Sequence, residues 1–176
     1  MFTKEYLEEL KDIHIDPKRP QGFGGKVKDL GQFHNYMNYW SPSTCLDYGC
    51  GKGVILAYLK ETYPNTEFAG YDPALKMWDY RHQNKFNTVF CNDVLEHIEP
   101  EFIADVLQDI NQYATDYIWL RIDTRPARKE LSDGRNAHLI IEDKDWWMEM
   151  LQHNIDGFAV YSEVNKKGKL DVAIER

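Results

Sequence analysis

Cysteine is scarce: Cys45, Cys50 and Cys91 are the only three, an odd number, each in a context that reads as strand or strand end. That excludes a disulfide framework and fits reduced thiols in a cytoplasmic protein. No apolar run approaches the ~18 residues that a membrane span needs. The opening residues, Met-Phe-Thr-Lys-Glu-Tyr-Leu-Glu-Glu-Leu, carry acids where an export signal would have an apolar stretch. Neither membrane insertion nor secretion is therefore expected. Positive charge is in deficit too, with 21 Lys+Arg against 29 Asp+Glu and a formal net charge of −8. Bulk charge thus repels polyanions and leaves only a local basic patch as a route to nucleic acid. Internal repeats and low-complexity tracts are absent.

What is present suits one packed domain spanning residues 1–176: 43% hydrophobic and 14% aromatic residues are ample for a core. Tyr6, Leu7, Leu10 and Ile13 recur at helical spacing behind Thr3 as a cap, which predicts an amphipathic helix over 3–13. The Pro- and Gly-rich stretch Asp16–Lys26 reads as a loop and a candidate lid, and 29–40 as an aromatic helix. These make residues 1–43 an N-terminal region before a core over 44–176. In that core, strands at 44–48, 66–71, 86–91 and 117–122 alternate with helices at 53–63, 74–83, 99–113 and 143–153. Strands at 157–164 and 169–174 flank Asn165-Lys-Lys-Gly168, a hairpin signal. The alternation predicts an α/β fold with a doubly wound, mostly parallel sheet and a C-terminal antiparallel hairpin.

The first strand runs into Leu46-Asp-Tyr-Gly-Cys-Gly-Lys-Gly53. Glycines at 49, 51 and 53 let backbone approach a ligand at the carboxyl edge of the sheet. The dinucleotide fingerprint would need its third glycine at position 54, where this chain has Val, so NAD is disfavoured. Asp47, two residues before the first glycine, suits a ligand with an ammonium group rather than a pyrophosphate. Asp72 closes the second strand 19 residues past the last glycine, the place from which a carboxylate takes both ribose hydroxyls. A cationic nucleoside satisfies both acids. The competing reading is a Rossmann-like turn that only packs a helix.

With those residues in view, Asp47-x-Gly-x-Gly-x-Gly53, Asp72 and Asp93-Val-Leu-Glu-His97 resemble the class I S-adenosylmethionine-dependent methyltransferases, and Gly157-Phe158 resembles the family's Gly-Phe before its antiparallel strand. The resemblance runs from Thr44 to the C-terminus, and the compact length is similar to the short phage-encoded members. It implies that Asp47, Tyr48, Gly49, Cys50, Gly51 and Gly53 cradle the methionine part of the cofactor. Asp72 and Pro73 would hold the ribose side, with Asn92 and Asp93 beside the methionyl end. Cys50 fits as a small turn residue rather than a catalytic thiol. Only 13 residues separate Asp72 from Phe86, so the family's usual third strand, whose following loop commonly supplies an acid to adenine, is expected to be missing. Asn84 and Asn87 are the candidate substitutes.

For the acceptor, the chain lacks the Asn/Asp-Pro-Pro-aromatic tetrapeptide of amino-methylating DNA enzymes, the Pro-Cys nucleophile of cytosine C5 enzymes and the paired glutamates of protein arginine methyltransferases. DNA is not an expected substrate, and a small molecule with an oxygen or nitrogen nucleophile is the default. Arg121, Arg125, Arg128 and Arg135 follow the fifth family strand at the substrate edge, so an anionic acceptor such as a nucleotide, sugar phosphate or RNA end is expected. The competing reading pairs those arginines with the protein's own surplus acids. His97 and His138 are the candidate general bases, while Trp146 and Trp147 read as core and lid packing. Asp93, Glu96 and His97 at i, i+3 and i+4, with His138, also resemble the Glu-x-x-Glu-His set of metal-dependent O-methyltransferases, which brings a divalent metal into consideration. The alternative from another class is an inactive cofactor-binding or protein-interaction module.

Overall fold

The computed structural model describes residues 2–15 and 30–176, so the candidate lid at Asp16–Lys26 lies outside the described residues. Helix α1 spans Lys4–Ile15 and α2 Gln32–Trp40. The core then runs β1 (Thr44–Tyr48), α3 (Val54–Thr62), β2 (Glu67–Tyr71), β3 (Phe86–Asn92), α4 (Ile103–Tyr113), β4 (Ala114–Asp123), α5 (Lys144–Asn154), β5 (Phe158–Val164) and β6 (Lys169–Glu175). Thr3 caps α1 as its position in the sequence predicts, its Oγ1 accepting from Tyr6 N at 3.2 Å.

The six strands lie in the order β2-β1-β3-β4-β6-β5. The first four are parallel, and the β5–β6 hairpin inserts β6 antiparallel beside β4. Alternation along each strand divides the core. Leu46, Val89, Leu120 and Val172 face α4 and α5 with the fully buried Trp147, whereas Cys45, Phe90, Trp119 and Ala173 face α2 and α3. Phe33 of α2 lies over Phe90 with ring centroids 4.3 Å apart, so the aromatic face of that helix meets the core. All three cysteines are buried and free.

Two elements differ from the sequence reading. The helix over 74–83 does not form: the chain from Asp72 to Lys85 is a succession of turns, with no strand before β3. Its apolar residues make no stripe, since Met77 and Tyr80 are 67% and 51% exposed. Trp78 instead lies against Gly53 and Gly70, within 3.1 and 3.2 Å of where their Cβ atoms would stand. The segment folds back on itself through Asp72 N to Trp78 O, and Arg81 pins it to Asp109, which also accepts from Tyr48 Oη at 2.7 Å. The second difference is at β4, which starts at Ala114 rather than 117 because α4 runs into it without a loop and Ala114 already pairs with Phe86.

Candidate active site

The carboxyl edge of the parallel strands is where the chemistry-bearing residues collect. After β1 the turn is held down by two bonds to one carbonyl, Gly49 N and Cys50 N donating to Tyr71 O at 2.8 and 3.1 Å. All three glycines have positive φ, +80° at Gly49, +52° at Gly51 and +73° at Gly53. At Gly49 the approach is close, because a Cβ there would lie 2.4 Å from Val94 Cγ2. Gly49→Ala combines that clash with an unfavourable φ and is expected to cost about 1–3 kcal/mol of stability, read as a lower urea midpoint; an unchanged midpoint would mean the turn is lax.

Asp72 ties the turn to β2: its Oδ2 accepts from Gly51 N at 2.8 Å and its Oδ1 from Ala74 N at 2.9 Å. Asp47 is different. It is 3% exposed, and its Oδ2 has no hydrogen-bond partner among the described residues. Burial, with the Asp72 charge added, pushes the Asp47 carboxyl up to about 8. A buried carboxyl without a donor is costly and marks a place for a cationic or donor ligand. Beside these acids opens a cleft of ≈ 880 Å³ including its solvent mouth, lined by Asp47, Tyr48, Gly49, Cys50, Gly51, Asp72, Pro73, Asn92 and Asp93 together with His97. The structure therefore brings every expected cofactor residue except Gly53 to one cleft; Gly53 starts α3, under Trp78. Burial pushes the Cys50 thiol far up, which agrees with a turn residue and not a nucleophile.

The N-terminal segment lines the same cleft through Phe2, just before α1, and through Leu10 and His14 of α1; of these only Leu10 stood out in the sequence, as part of the helix's apolar stripe. Thr3 N and Oγ1 both donate to the buried Glu99, at 2.8 and 2.7 Å, and Tyr6 Oη donates to His97 O at 2.6 Å. Neither candidate adenine partner reaches the cleft. Asn87 opens β3 at the opposite edge of the sheet, bonded to Ser43, Thr44 and Asp116, and Asn84 lies with Arg81 beside α4.

A second cleft, ≈ 1310 Å³ with its open mouth, shares Ile55, Asn92 and Asp93 with the first. Arg121, Lys167 and Lys169 line it, as do Asp93, Glu163 and Asp171. Asp93, in the left-handed region at φ +56°, accepts from Lys169 Nζ at 2.8 Å, and Lys169 also reaches Asp123 at 2.9 Å. Asn92 Oδ1, at the seam between the clefts, is buried with no hydrogen-bond partner among the described residues.

The arginines separate. Arg121 is not in a loop but within β4, buried and paired with Asp171 at 2.6 Å. Arg125 pairs with Asp123 at 3.3 Å and Arg135 with Asp133 at 2.6 Å, both exposed, and Arg128 is exposed. Those three line neither cleft, because the 124–143 loop folds back against α1, with Leu131 and Ala137 packing on Tyr6 and Ile13.

His97 Nδ1 and His138 Nδ1 each face a backbone carbonyl, Ala137 O at 2.6 Å and Arg125 O. A carbonyl only accepts, so each Nδ1 is the donor. Burial holds His97 down at about 4, so it is neutral at ordinary pH. His138 stands edge-on behind it, with ring centroids 4.9 Å apart, and is not a wall of the cleft. Of the four residues in the sequence-derived ligand set, Glu96, His97 and His138 offer ligand atoms within 4.8 Å of one another, while Asp93 turns to Lys169. Glu96, wholly buried, is pushed up to about 8 by burial and then by Asp93.

These shifts have a testable sign. Asp47 and Glu96 have folded pKa values above their unfolded ones. Each holds a proton that the unfolded chain releases, so stability is lost as pH rises from about 4 to 8. The depressed His97 acts in the opposite sense and removes stability as pH falls from 6.5 towards 4. Two carboxyls outweigh one imidazole, so thermal melts of the ligand-free protein are expected to be highest near pH 4 and to decline towards pH 8, more steeply above 6.5, with part of the decline absent in Asp47→Asn.

The comparisons with known proteins bear on this arrangement. The profile of the methyltransferase domain family matches residues 25–165. Among curated proteins none matches the chain by sequence. Among solved structures, the chain is similar to the Burkholderia thailandensis 1,6-didemethyltoxoflavin-N1-methyltransferase, bound to 1,6-didemethyltoxoflavin and S-adenosylhomocysteine. The TM-score is 0.69 at 15% identity, over 98% of this chain and 89% of that one. It is also similar to the plantazolicin methyltransferase in complex with S-adenosylhomocysteine, with a TM-score of 0.64 at 12% identity over 98% and 95%. For an O-methyltransferase family protein from Burkholderia thailandensis the TM-score is 0.66 at 13% identity, over 92% of this chain and only 61% of that one. With the profile covering most of its length and its strand order, glycine turn and paired acids in place, the chain belongs to the methyltransferase domain family, in the class I, S-adenosylmethionine-dependent fold.

Proposed function

We propose that the chain binds S-adenosylmethionine in the first cleft and methylates a small, polar, anionic acceptor that enters through the second. The observation that carries this reading is Asp47, a buried carboxyl without a donor inside a glycine turn whose backbone a ligand can approach. In the complex Asp47 would be ionised against the ammonium of the cofactor, and Asp72, with lone pairs to spare beyond its two backbone bonds, would accept the ribose hydroxyls. The cofactor supplies an electrophilic sulfonium methyl.

The acceptor's oxygen or nitrogen would be oriented at the Asn92–Asp93 seam, with Asn92 Oδ1 taking a hydrogen bond from it. The proton that the acceptor gives up on methylation would pass to His97 Nε2. A ring with so low a proton affinity contributes more by orientation than as a strong base; His138 would act only through it. The anionic character of the acceptor is supported by Arg121, Lys167 and Lys169, although three carboxylates share that wall, so a single anionic group suits the cleft better than a polyanion such as an RNA end.

A methyl-transfer screen with radiolabelled S-adenosylmethionine over pools of phosphorylated and carboxylated metabolites tests the reading. Product from at least one pool is expected. Binding of S-adenosylhomocysteine with no transfer to any pool would favour the inactive cofactor-binding module. Once an acceptor is found, Lys167→Glu, an exposed change on the hairpin, should raise its KM while leaving cofactor affinity unchanged.

A further inference from the structure

Asp47 and Asp72 account for the polar ends of the cleft, and β2 is the edge of the described sheet, with no strand beyond it to build a wall. The apolar lining comes from Phe2 and Leu10 of the α1 segment, Ile55 of α3, Tyr71 and Ala74 on either side of Asp72, and Val94 and Ile98 of the chain after β3. His14, 5% exposed, stands on the same wall close enough to Asp72 for each to feel the other's charge. Among the described residues the helix is held by the Thr3–Glu99 pair and Tyr6 to His97 O, which flank the cleft, and by Ser132 N donating to Glu9. A purine attached to a ribose at Asp72 needs a flat apolar slot, and on the wall that carries His14 the apolar groups are Phe2 and Leu10 of the α1 segment.

We propose that α1 is the adenine wall of the cofactor cleft. Leu10 and Phe2 cover one face of the base, His14 stands beside the ribose carboxylate Asp72, and the Thr3–Glu99 latch must open for cofactor to exchange. This rests on reading the cleft as an S-adenosylmethionine site. It differs from that reading in assigning the base, rather than the amino acid or ribose, to a helix outside the sheet.

The test uses the full chain and two ligands, S-adenosylhomocysteine and 5′-methylthioadenosine, which keeps the adenine and ribose but lacks the amino acid. Leu10→Asp, a half-buried position on α1, should weaken both by a common factor of about tenfold, the loss of a Leu-sized apolar contact. Asp47→Asn should weaken only S-adenosylhomocysteine. Thr3→Val, with melting temperature checked, should raise the rate of S-adenosylhomocysteine release, followed by tryptophan fluorescence after mixing. Wild-type binding with affinities and release rate unchanged in the α1 variants would overturn the proposal while leaving the cofactor reading intact. Failure of the wild type to bind either ligand would overturn both.

Discussion

Asp72→Ala is expected to weaken cofactor binding more than any other single truncation, for two reasons that act together. The ribose loses a charged acceptor, and a charge-assisted hydrogen bond is worth roughly 1.5–3 kcal/mol. The turn loses its tether as well, because the same carboxylate holds Gly51 N at 2.8 Å and Ala74 N at 2.9 Å. With Gly51 N released, the turn that presents backbone to the ligand is no longer preorganised. Loss of two such bonds corresponds to more than about a hundredfold in Kd. Asp72→Asn separates the contributions, since its single carbonyl oxygen retains only part of the acceptor capacity; an intermediate affinity is expected. Calorimetric titration of S-adenosylhomocysteine into each folded variant checks this, and an Asp72→Ala protein that binds as the wild type does would remove Asp72 from the site.

Asp47→Asn has the second largest expected effect and a pH signature of its own. In the ligand-free protein the carboxyl stands at about 8, so at neutral pH it is mostly protonated. An ammonium beside it favours the charged form, and binding therefore releases a proton. Affinity should rise as pH increases from 6 to 8 and level off once the free carboxyl is ionised. Asparagine cannot ionise: it should weaken binding by about ten- to a hundredfold near pH 8 and abolish the pH dependence across that interval. A variant with the same slope as the wild type would place the titrating group elsewhere.

How much of this the sequence discloses depends on whether a feature is local. The glycine turn, Asp47 and Asp72 sit at strand ends where chemistry and backbone conformation coincide, so spacing alone locates them, and the short Asp72–Phe86 interval reveals the missing strand. The helix expected over 74–83 fails because tertiary packing prevails: Trp78 covers Gly53 and Gly70, a contact that no local pattern encodes. The arginine-rich loop misleads in a related way. Its charges are dense in sequence, but the fold turns the loop towards α1 and leaves Arg121, a strand residue, as the one arginine of the expected set on a cleft wall. The role of Lys169 and the docking of α1 at the cleft are invisible beforehand because the partners lie far along the chain, with Lys169 76 positions from Asp93 and Thr3, the cap of α1, 96 from Glu99.

The central claim is that Asp47 and the glycine turn form an S-adenosylmethionine site. Its most direct test is a calorimetric titration of S-adenosylhomocysteine at pH 7 in two buffers of different ionisation heat. The expected result is saturable binding at one site with release of up to one proton, seen as a buffer-dependent heat that Asp47→Asn loses. Absence of any binding heat at millimolar ligand would contradict the account, and binding without proton release would contradict the role given to Asp47.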